Sequence, residues 1–261
     1  MNRRSLGWML LALIFGAPIS AQAGVVLGTA NDFAILANTG VTNTGTSVID
    51  GGDIGVNVGS TIIGFPPGVL TPPYTTHVGD GAYLQARNDL SSAILAIEAM
   101  PWTQDLTGQD LGGMTLTPGV YRFSSSAALT GTLTLDFQND VNAEFVFQIG
   151  STLTTASSSS IQSIQGGGDN RVFWQVGSSA TLGTSTDFKG NILALTSITL
   201  TTGATILDGS ALALNGAVTL DSNEITKSSI QAVPEPTSMM IMGMFGGMSV
   251  FVRLRKKFAR S

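Results

Sequence analysis

The sequence predicts a mainly β chain, wound as a right-handed β-solenoid of about six coils with one long helix laid along its axis. Three observations carry this. A Thr-Leu pair recurs at Thr115-Leu116, Thr134-Leu135, Thr152-Leu153, Thr181-Leu182, Thr199-Leu200 and Thr219-Leu220, with gaps of 19, 18, 29, 18 and 20 residues. A second phrase, Phe147-Gln148-Ile149-Gly150-Ser151, returns as Trp174-Gln175-Val176-Gly177-Ser178, and Gly190-Asn191-Ile192-Leu193-Ala194-Leu195 returns as Gly209-Ser210-Ala211-Leu212-Ala213-Leu214. Between residues 80 and 100 the apolar period switches from two to that of a helix. A unit this short cannot hold two helices and a turn, but it can hold three short strands with corners between them. The long gap reads as a single insertion around Gly166-Gly167-Gly168-Asp169-Asn170.

The chain begins with a stretch that reads as a secretory signal over residues 1–23. Arg3 and Arg4 form its charged start, Leu6 to Ala17 its apolar run, and Ala21-Gln22-Ala23 its small-residue cleavage site, leaving Gly24 as the mature start. The rival, a membrane anchor, would need about 20 apolar residues. The region 24–232 then has no second composition shift and reads as one domain, long enough to bury a sizeable core. Its opening phrases, Leu27 to Ala37 and Val41 to Val48, are short strands and turns. Asp50-Gly51-Gly52-Asp53 is a turn rather than a metal site. Gly64-Phe65-Pro66-Pro67-Gly68 and Pro72-Pro73 interrupt ladder pairing and mark a loop.

Asp80 to Met100 is the helix. Tyr83, Ala86, Leu90, Ala93, Ile94 and Ile97 fall on one face, Asp80 stands at the N-cap, and Pro101 closes the segment. From Met114 onward each unit alternates in the manner of half-buried strands: Ile198, Leu200 and Ile206 are apolar, while Thr199, Thr201 and Thr205 are small and polar. Gly, Asn, Asp and Ser supply the corners. The six Leu residues of the repeated pair are expected to stack inward in one column.

The C-terminal stretch, residues 233–261, carries Pro234, Glu235 and Pro236, an apolar run from Met239 to Val252, and then Arg253, Arg255, Lys256, Lys257 and Arg260. This three-part tail resembles the PEP-CTERM sorting signal of Gram-negative bacteria. The resemblance implies export, a short transmembrane segment serving as a transient inner-membrane anchor, and removal by a transpeptidase-like sorting enzyme. The final location would be the cell surface or the medium.

Composition excludes several function classes. Residues 24–232 hold five basic and 16 acidic side chains, a net charge of −11 with no basic stripe, so no nucleic-acid partner is expected. The chain has no Cys and a single His, His77, in the Pro-rich region before the helix, so neither a Ser/His/Asp set away from that residue nor a Cys/His metal cluster can be built. No cofactor or metal is implied. A polysaccharide-cleaving β-helix would cluster acidic and basic residues on one face, but Arg87, Arg122, Arg171, Lys189 and Lys227 are scattered along the chain.

The order of strands, one long helix, then regular coils is distinctive. With Leu27-Gly28-Thr29-Ala30-Asn31-Asp32-Phe33, Gly64-Phe65-Pro66-Pro67-Gly68, Leu116-Thr117-Pro118-Gly119-Val120-Tyr121, the Phe145–Leu153 and Phe173–Thr184 phrases, Gly190-Asn191-Ile192-Leu193-Ala194 and Gly216-Ala217-Val218-Thr219-Leu220-Asp221, it resembles the bacterial and fungal ice-binding protein family, a discontinuous β-solenoid with an adjacent helix. The resemblance implies that the N-terminal strands fold back beside the C-terminal coils. It also implies a non-enzymatic, exported, monomeric protein that adsorbs to ice through a flat Thr/Ser-rich face. In that family one face often carries Thr-(Ala/Gly)-x-(Thr/Asn). Thr202-Gly203-Ala204-Thr205 fits, Thr155-Ala156-Ser157-Ser158 fits in part, Thr184-Ser185-Thr186 stands in the corresponding place, and Thr44-Gly45-Thr46 is an N-terminal counterpart. The ice-binding candidates are therefore Thr44, Thr46, Thr155, Ser157, Thr184, Thr186, Thr202 and Thr205, which otherwise read as ordinary exposed strand and corner residues. The alternative function is a structural or adhesive protein packed into extracellular polysaccharide.

Overall fold

The computed structural model describes residues 24–167 and 171–227. The signal stretch, the sorting motif, Ala23 and residues 168–170 of the Gly-rich insertion lie outside them. A 3-10 turn (Gly28–Asp32) leads into β1 (Phe33–Ala37), β2 (Gly40–Thr44), β3 (Val48–Asp50), β4 (Asp53–Val56), β5 (Ile62–Ile63), β6 (Val69–Leu70) and β7 (Thr76–Val78). Helix α1 (Gly81–Glu98) follows, then β8 (Gln104–Asp105), β9 (Thr115–Leu116), β10 (Gly119–Phe123), β11 (Ala127–Leu129), β12 (Thr132–Asp136), β13 (Phe145–Ile149), β14 (Leu153–Thr155) and β15 (Ser160–Ile164). The chain continues through β16 (Val172–Val176), β17 (Ala180–Leu182), β18 (Asp187–Lys189), β19 (Asn191–Ala194), β20 (Ile198–Leu200), β21 (Thr205–Leu207), β22 (Ala211–Ala213), β23 (Ala217–Asp221) and β24 (Glu224–Thr226).

The strands form three parallel sheets, visited in the order A, B, C by each coil. Sheet A runs β7-β4-β1-β22-β19-β16-β13-β10-β8, sheet B runs β11-β14-β17-β20-β23-β2-β5, and sheet C runs β6-β3-β24-β21-β18-β15-β12-β9. With nine, seven and eight strands, the sheets are deeper than the about six coils expected. The N-terminal coils do fold back onto the C-terminal ones: Ile35 pairs with Ala211, Thr42 with Thr219 and Ile49 with Ile225.

The interior is filled by columns of inward side chains. One runs Tyr121, Phe147, Trp174, Ile192, Ala211, Ile35, Ile54 through successive register pairs. The rings of Phe147 and Trp174 stack with centroids 3.8 Å apart, and the Trp174 indole N–H donates to the Lys189 carbonyl at 2.9 Å. Aromatic residues fill the end where coils are long, with Gly119 paired to Phe145 and Phe145 to Val172. Small residues such as Ala194, Ala211 and Ala213 fill the middle of the stack, where coils are short, Ile192 pairing with Ala211. Coil length falls because the insertions are two, not one: chain is added at 137–144 as well as at 165–171.

The Leu column also differs from expectation. All six residues are buried, but only Leu182, Leu200 and Leu220 share a column, in sheet B. Leu153 pairs with Ala180 one column across, and Leu116 and Leu135 pair in sheet C. Equal spacing in sequence misassigned them because the first two units carry extra residues.

Helix α1 covers the outer surface of sheet A. The Asp80 carboxylate accepts from the Tyr83 amide at 2.9 Å, and Tyr83, Ala86, Leu90, Ala93, Ile94 and Ile97 are all buried. They pack on Val120, Val146, Phe173, Leu193, Leu212 and Leu36, one from each of six neighbouring strands. Six strands at ~4.8 Å spacing match the ~27 Å length of such a helix. His77 of β7 is half-buried, its Nδ1 2.7 Å from Asp80 and its Nε2 3.3 Å from Asp53. Burial pulls its pKa down, but the two carboxylates outweigh that and hold it above the ordinary value.

One expectation is corrected. Among the described residues no helix is long and apolar enough to cross a membrane. The run 239–252 expected to do so lies outside them, and its length falls short of the ~20 residues a span requires.

Two outcomes follow from this packing. Leu200→Ala should lose ~2–5 kcal/mol in denaturant unfolding, as a truncation inside a closed column; a loss below ~1 kcal/mol would contradict the column. Lys227, buried with its Nζ donating to Asn31 at 2.8 Å, has its pKa pushed down by burial from 10.5 to about 8, against the opposing charge of Asp32. Below about 8 both folded and unfolded chains carry the proton, and the cost of burying the charge is present in full. Between about 8 and 10.5 only the unfolded chain keeps it, so stability should rise across that window by up to roughly 3 kcal/mol. Lys227→Met should abolish the rise.

Candidate functional site

Alternation along a parallel strand sends each inward residue's neighbour outward. In sheet B the outward neighbours line up in register as Ala128, Thr154, Thr181, Thr199, Thr219, Thr42 and Ile63. Five consecutive strands thus present a Thr, exposed or half-exposed, at ~4.8 Å intervals. No hydroxyl of these five makes a hydrogen bond to another described residue. On one side of the column lie Ser126, Thr152, Ser179, Ser197 and Ala217, on the other Thr130, Ala156, Gly183, Thr201, Asp221 and Thr44. All are small except Asp221.

The side chains are held still from beneath. Thr has one branched carbon and few rotamers, and each Thr stands between two buried residues of its own strand, such as Ile198 and Leu200 around Thr199. The corner between sheets B and C is fastened by buried polar groups. Ser159 donates to the Leu129 carbonyl at 3.0 Å, the Thr155 and Thr186 hydroxyls meet at 2.8 Å, and the Asn223 amide donates to the Thr201 and Ala204 carbonyls at 2.8 and 2.9 Å.

The other two surfaces differ. Sheet A is covered by α1. Sheet C turns outward Thr132, Ser160, Asp187, Thr205, Glu224, Val48 and Val69 in one column, and Thr134, Gln162, Lys189, Leu207, Thr226 and Asp50 in the next. It mixes charges with long side chains and is not uniform.

The candidates read from sequence lie along the B–C corner rather than on the flat of sheet B. Thr155 and Thr186 are buried, at 3% and 0% exposure, and their hydroxyls are used inside the fold, which removes them from any contact surface. Thr202 is exposed but its hydroxyl is bonded to the Asp221 carboxylate. Thr205 opens a sheet C strand and bonds Asp187 at 3.3 Å. Thr184 is 3.4 Å from the Thr201 hydroxyl, Thr44 donates to the Leu220 carbonyl at 3.3 Å, and Thr46 and Ser157 are exposed in turns. The in-register outward residues Thr42, Thr154, Thr181, Thr199 and Thr219 were not among the candidates. For three of them the signal was in the Thr-Leu pair itself, since an inward Leu column at Leu182, Leu200 and Leu220 obliges an outward column at Thr181, Thr199 and Thr219; Thr42 and Thr154 lie outside any such pair and join the column only through strand register.

Comparison with known proteins supplies the context. A family described as ice-binding-like matches residues 35–226, and one described as the PEP-CTERM protein-sorting motif matches residues 232–256. An ice-binding protein of Nostoc sp. (strain HG1) is 50% identical, over 97% of this chain and 96% of its own. The crystal structure of an ice-binding protein from the Antarctic ascomycete Antarctomyces psychrotrophicus superposes with a TM-score of 0.74 at 45% identity, over 79% of this chain and 100% of that one. An ice-binding protein from an Antarctic biological consortium superposes with a TM-score of 0.75 at 42% identity, over 82% and 96%.

Proposed function

The chain belongs to the ice-binding-like family, and we propose that it adsorbs to ice through the outer surface of sheet B. The family is one of ice-binding proteins rather than enzymes. The observation that carries the choice of surface is the in-register column Thr42, Thr219, Thr199, Thr181, Thr154, with its hydroxyls unengaged among the described residues. Ice is a periodic solid, so a matching surface must be flat, repeated and rigid. Coil spacing of ~4.8 Å and a two-residue step of ~6.6 Å along a strand are both of the order of oxygen spacings in ice. The hydroxyls can join ordered water, while the methyls displace loosely held water. Immobile side chains lower the entropic cost of the match.

The PEP-CTERM motif marks the protein for export, to the cell surface or beyond. Packing into extracellular polysaccharide, the alternative, has no support in the relatives, which bear the name of ice-binding proteins. The motif resemblance further supports removal of the tail. Mass spectrometry of the protein exported from its native cell should therefore find no peptide from residues 251–261; its recovery from surface or secreted material would refute removal.

The Antarctomyces chain is matched over its whole length by the solenoid, so a solenoid without the tail is a self-sufficient unit. Purified residues 24–232 should shape ice crystals and show thermal hysteresis. Thr219→Tyr, which raises a ring between Thr199 and Thr42 of the column, should remove most of that activity while changing stability by no more than roughly 0.5 kcal/mol. Val48→Tyr, on sheet C, should leave it intact. Equal activity in the Thr219 variant would mean another surface binds, and a wild-type protein that leaves ice untouched at high concentration would end the ice-binding reading.

A further inference from the structure

Among the described residues Lys227 is the only Lys or Arg that is buried, at 8% exposure. Its Nζ donates to Asn31 Oδ1 at 2.8 Å, and no carboxylate of those residues forms an ion pair with it. A buried ammonium without an ion pair is an unfavourable way to make one hydrogen bond. Burial accordingly pushes its pKa down to about 8, so roughly a tenth of the chains carry a neutral, nucleophilic amine at pH 7. The pair is held in place from both sides. Asn31 lies in the 3-10 turn Gly28–Asp32, which Ala30 anchors in the core and Thr29 fastens to Asp89 of α1. Lys227 follows β24, with its amide on the Asp50 carbonyl at 3.1 Å. Gly51 packs so closely on it that an added Cβ would stand 2.7 Å from the Lys227 Cβ. Neither side chain has another hydrogen-bond partner among the described residues.

An amine so close to a carboxamide, with both backbones fixed, is arranged for transamidation. The carbon to be attacked is one C=O bond, about 1.23 Å, beyond the oxygen that accepts the hydrogen bond. Rotation of the amide about its last torsion brings amine and carbon to the ~3–3.5 Å of an attacking pair. We propose that Lys227 and Asn31 join in an isopeptide bond, a covalent self-modification that staples the last coil of the solenoid to the first. Nζ attacks Cγ of Asn31; the Nζ–Cγ bond forms, the Cγ–Nδ2 bond breaks, and one Nζ proton leaves with Nδ2 as ammonia. No oxidant, cofactor or second protein is consumed. Asn31 is half-buried, so ammonia escapes to solvent and the exchange runs one way. The Asp32 carboxylate is the charge that faces the amine, and it steadies the positive charge on Nζ as the bond forms.

The bond spans 196 residues. It forms only after β3 has paired with β24, because that ladder is what brings Lys227 to the N-terminal coil. Once formed it locks the ladders β1 on β22, β2 on β23 and β3 on β24, and with them the place of Thr42 beside Thr219. A chain that has no Cys and is marked for export thereby gains a covalent closure of a long loop without a disulfide. This closure is independent of which surface meets ice. The rise of stability between about 8 and 10.5 belongs to the unlinked pair, since the amide nitrogen of the linked form no longer titrates.

Intact mass of purified residues 24–232 tests the bond. The linked chain should be lighter than its sequence by one ammonia. After tryptic digestion, peptides 24–87 and 190–232 should travel as one branched species joined at Asn31 and Lys227, the blocked lysine being left uncut. Asn31→Ala and Lys227→Met should each restore the full mass, separate the two peptides and lower the unfolding temperature. Protein purified under denaturing conditions should lose the ammonia only on refolding, and Asp32→Asn should slow that loss by about tenfold or more. Wild-type protein that keeps its full mass through days of incubation above a pH of about 8, where the amine is neutral, would overturn the proposal, whatever the protein does to ice. A mass loss without the branched peptide would place the reaction at another amide and overturn it as well. Equal rates in Asp32→Asn would overturn the part given to Asp32.

Discussion

The pairing of the chain's first coil with its last is the contact on which the rest depends. The ladders β1 on β22, β2 on β23 and β3 on β24 bring together residues from opposite ends of the domain. They cover the open edge that the C-terminal coil would otherwise expose, and such edges invite pairing with other chains. They add Thr42 to a column whose other members lie far along the sequence, and they extend the platform under α1 by Leu36. Lys227 is wedged into the same join: a Cβ on Gly51, where φ is +90°, would stand 2.3 Å from the Lys227 carbonyl oxygen, so that turn requires glycine. A contact so distant in sequence is entropically costly to close and forms late relative to local turns. The flat face is therefore a property of the completed stack rather than of any one repeat.

Much of this was legible in the sequence, for identifiable reasons. The helix was read to within a residue or two because its apolar period and its Asp80 cap agree, and every residue placed on its inner face is buried. The Phe147/Trp174 and Leu193/Leu212 phrases are register partners because identical inward and outward slots repeat there. The Leu column and the insertion count were less legible. Extra chain at 137–144 shifts Thr134-Leu135 into sheet C while preserving a gap of 18 to the next pair, so even spacing concealed a change of sheet. Family membership was legible; the in-register Thr column of sheet B was less so. The corner motif marked the border between sheets B and C, but a sequence cannot say which Thr hydroxyls are already taken.

That distinction is energetic. At the corner, Thr155 and Thr186 are buried, where a hydroxyl without a partner would cost roughly 1–3 kcal/mol, and each satisfies the other. Their conservative-looking Thr character serves the fold. On the flat of sheet B, Thr154, Thr181, Thr199, Thr219 and Thr42 have solvent on one side and buried aliphatic neighbours on the other. Their methyl groups need no partner, and their hydroxyls retain their bonding capacity for whatever the surface meets. The same residue type thus does opposite work at adjacent positions of one strand, Thr154 outward and Thr155 inward in β14.

The acidity of the domain follows the same division. Carboxylates bind water strongly and hold it in shells that do not match a lattice, so a flat ice-facing surface is best kept clear of them. Asp50, Asp187 and Glu224 lie on sheet C, Asp53, Asp80 and His77 form their own cluster at the end of sheet A, and Asp89 bonds Thr29 beside the helix. Asp221 stands at the margin of the Thr column. Its two oxygens accept from Thr202 and Ser222, both in turns, which directs its charge toward the corner and away from Thr219. Net charge keeps the exported protein soluble, and the two carboxylates in the register of sheet B stand at its borders, Asp110 beside Ala128 at the β11 end and Asp221 at the B–C corner, so the run from Thr154 to Thr42 carries none between them.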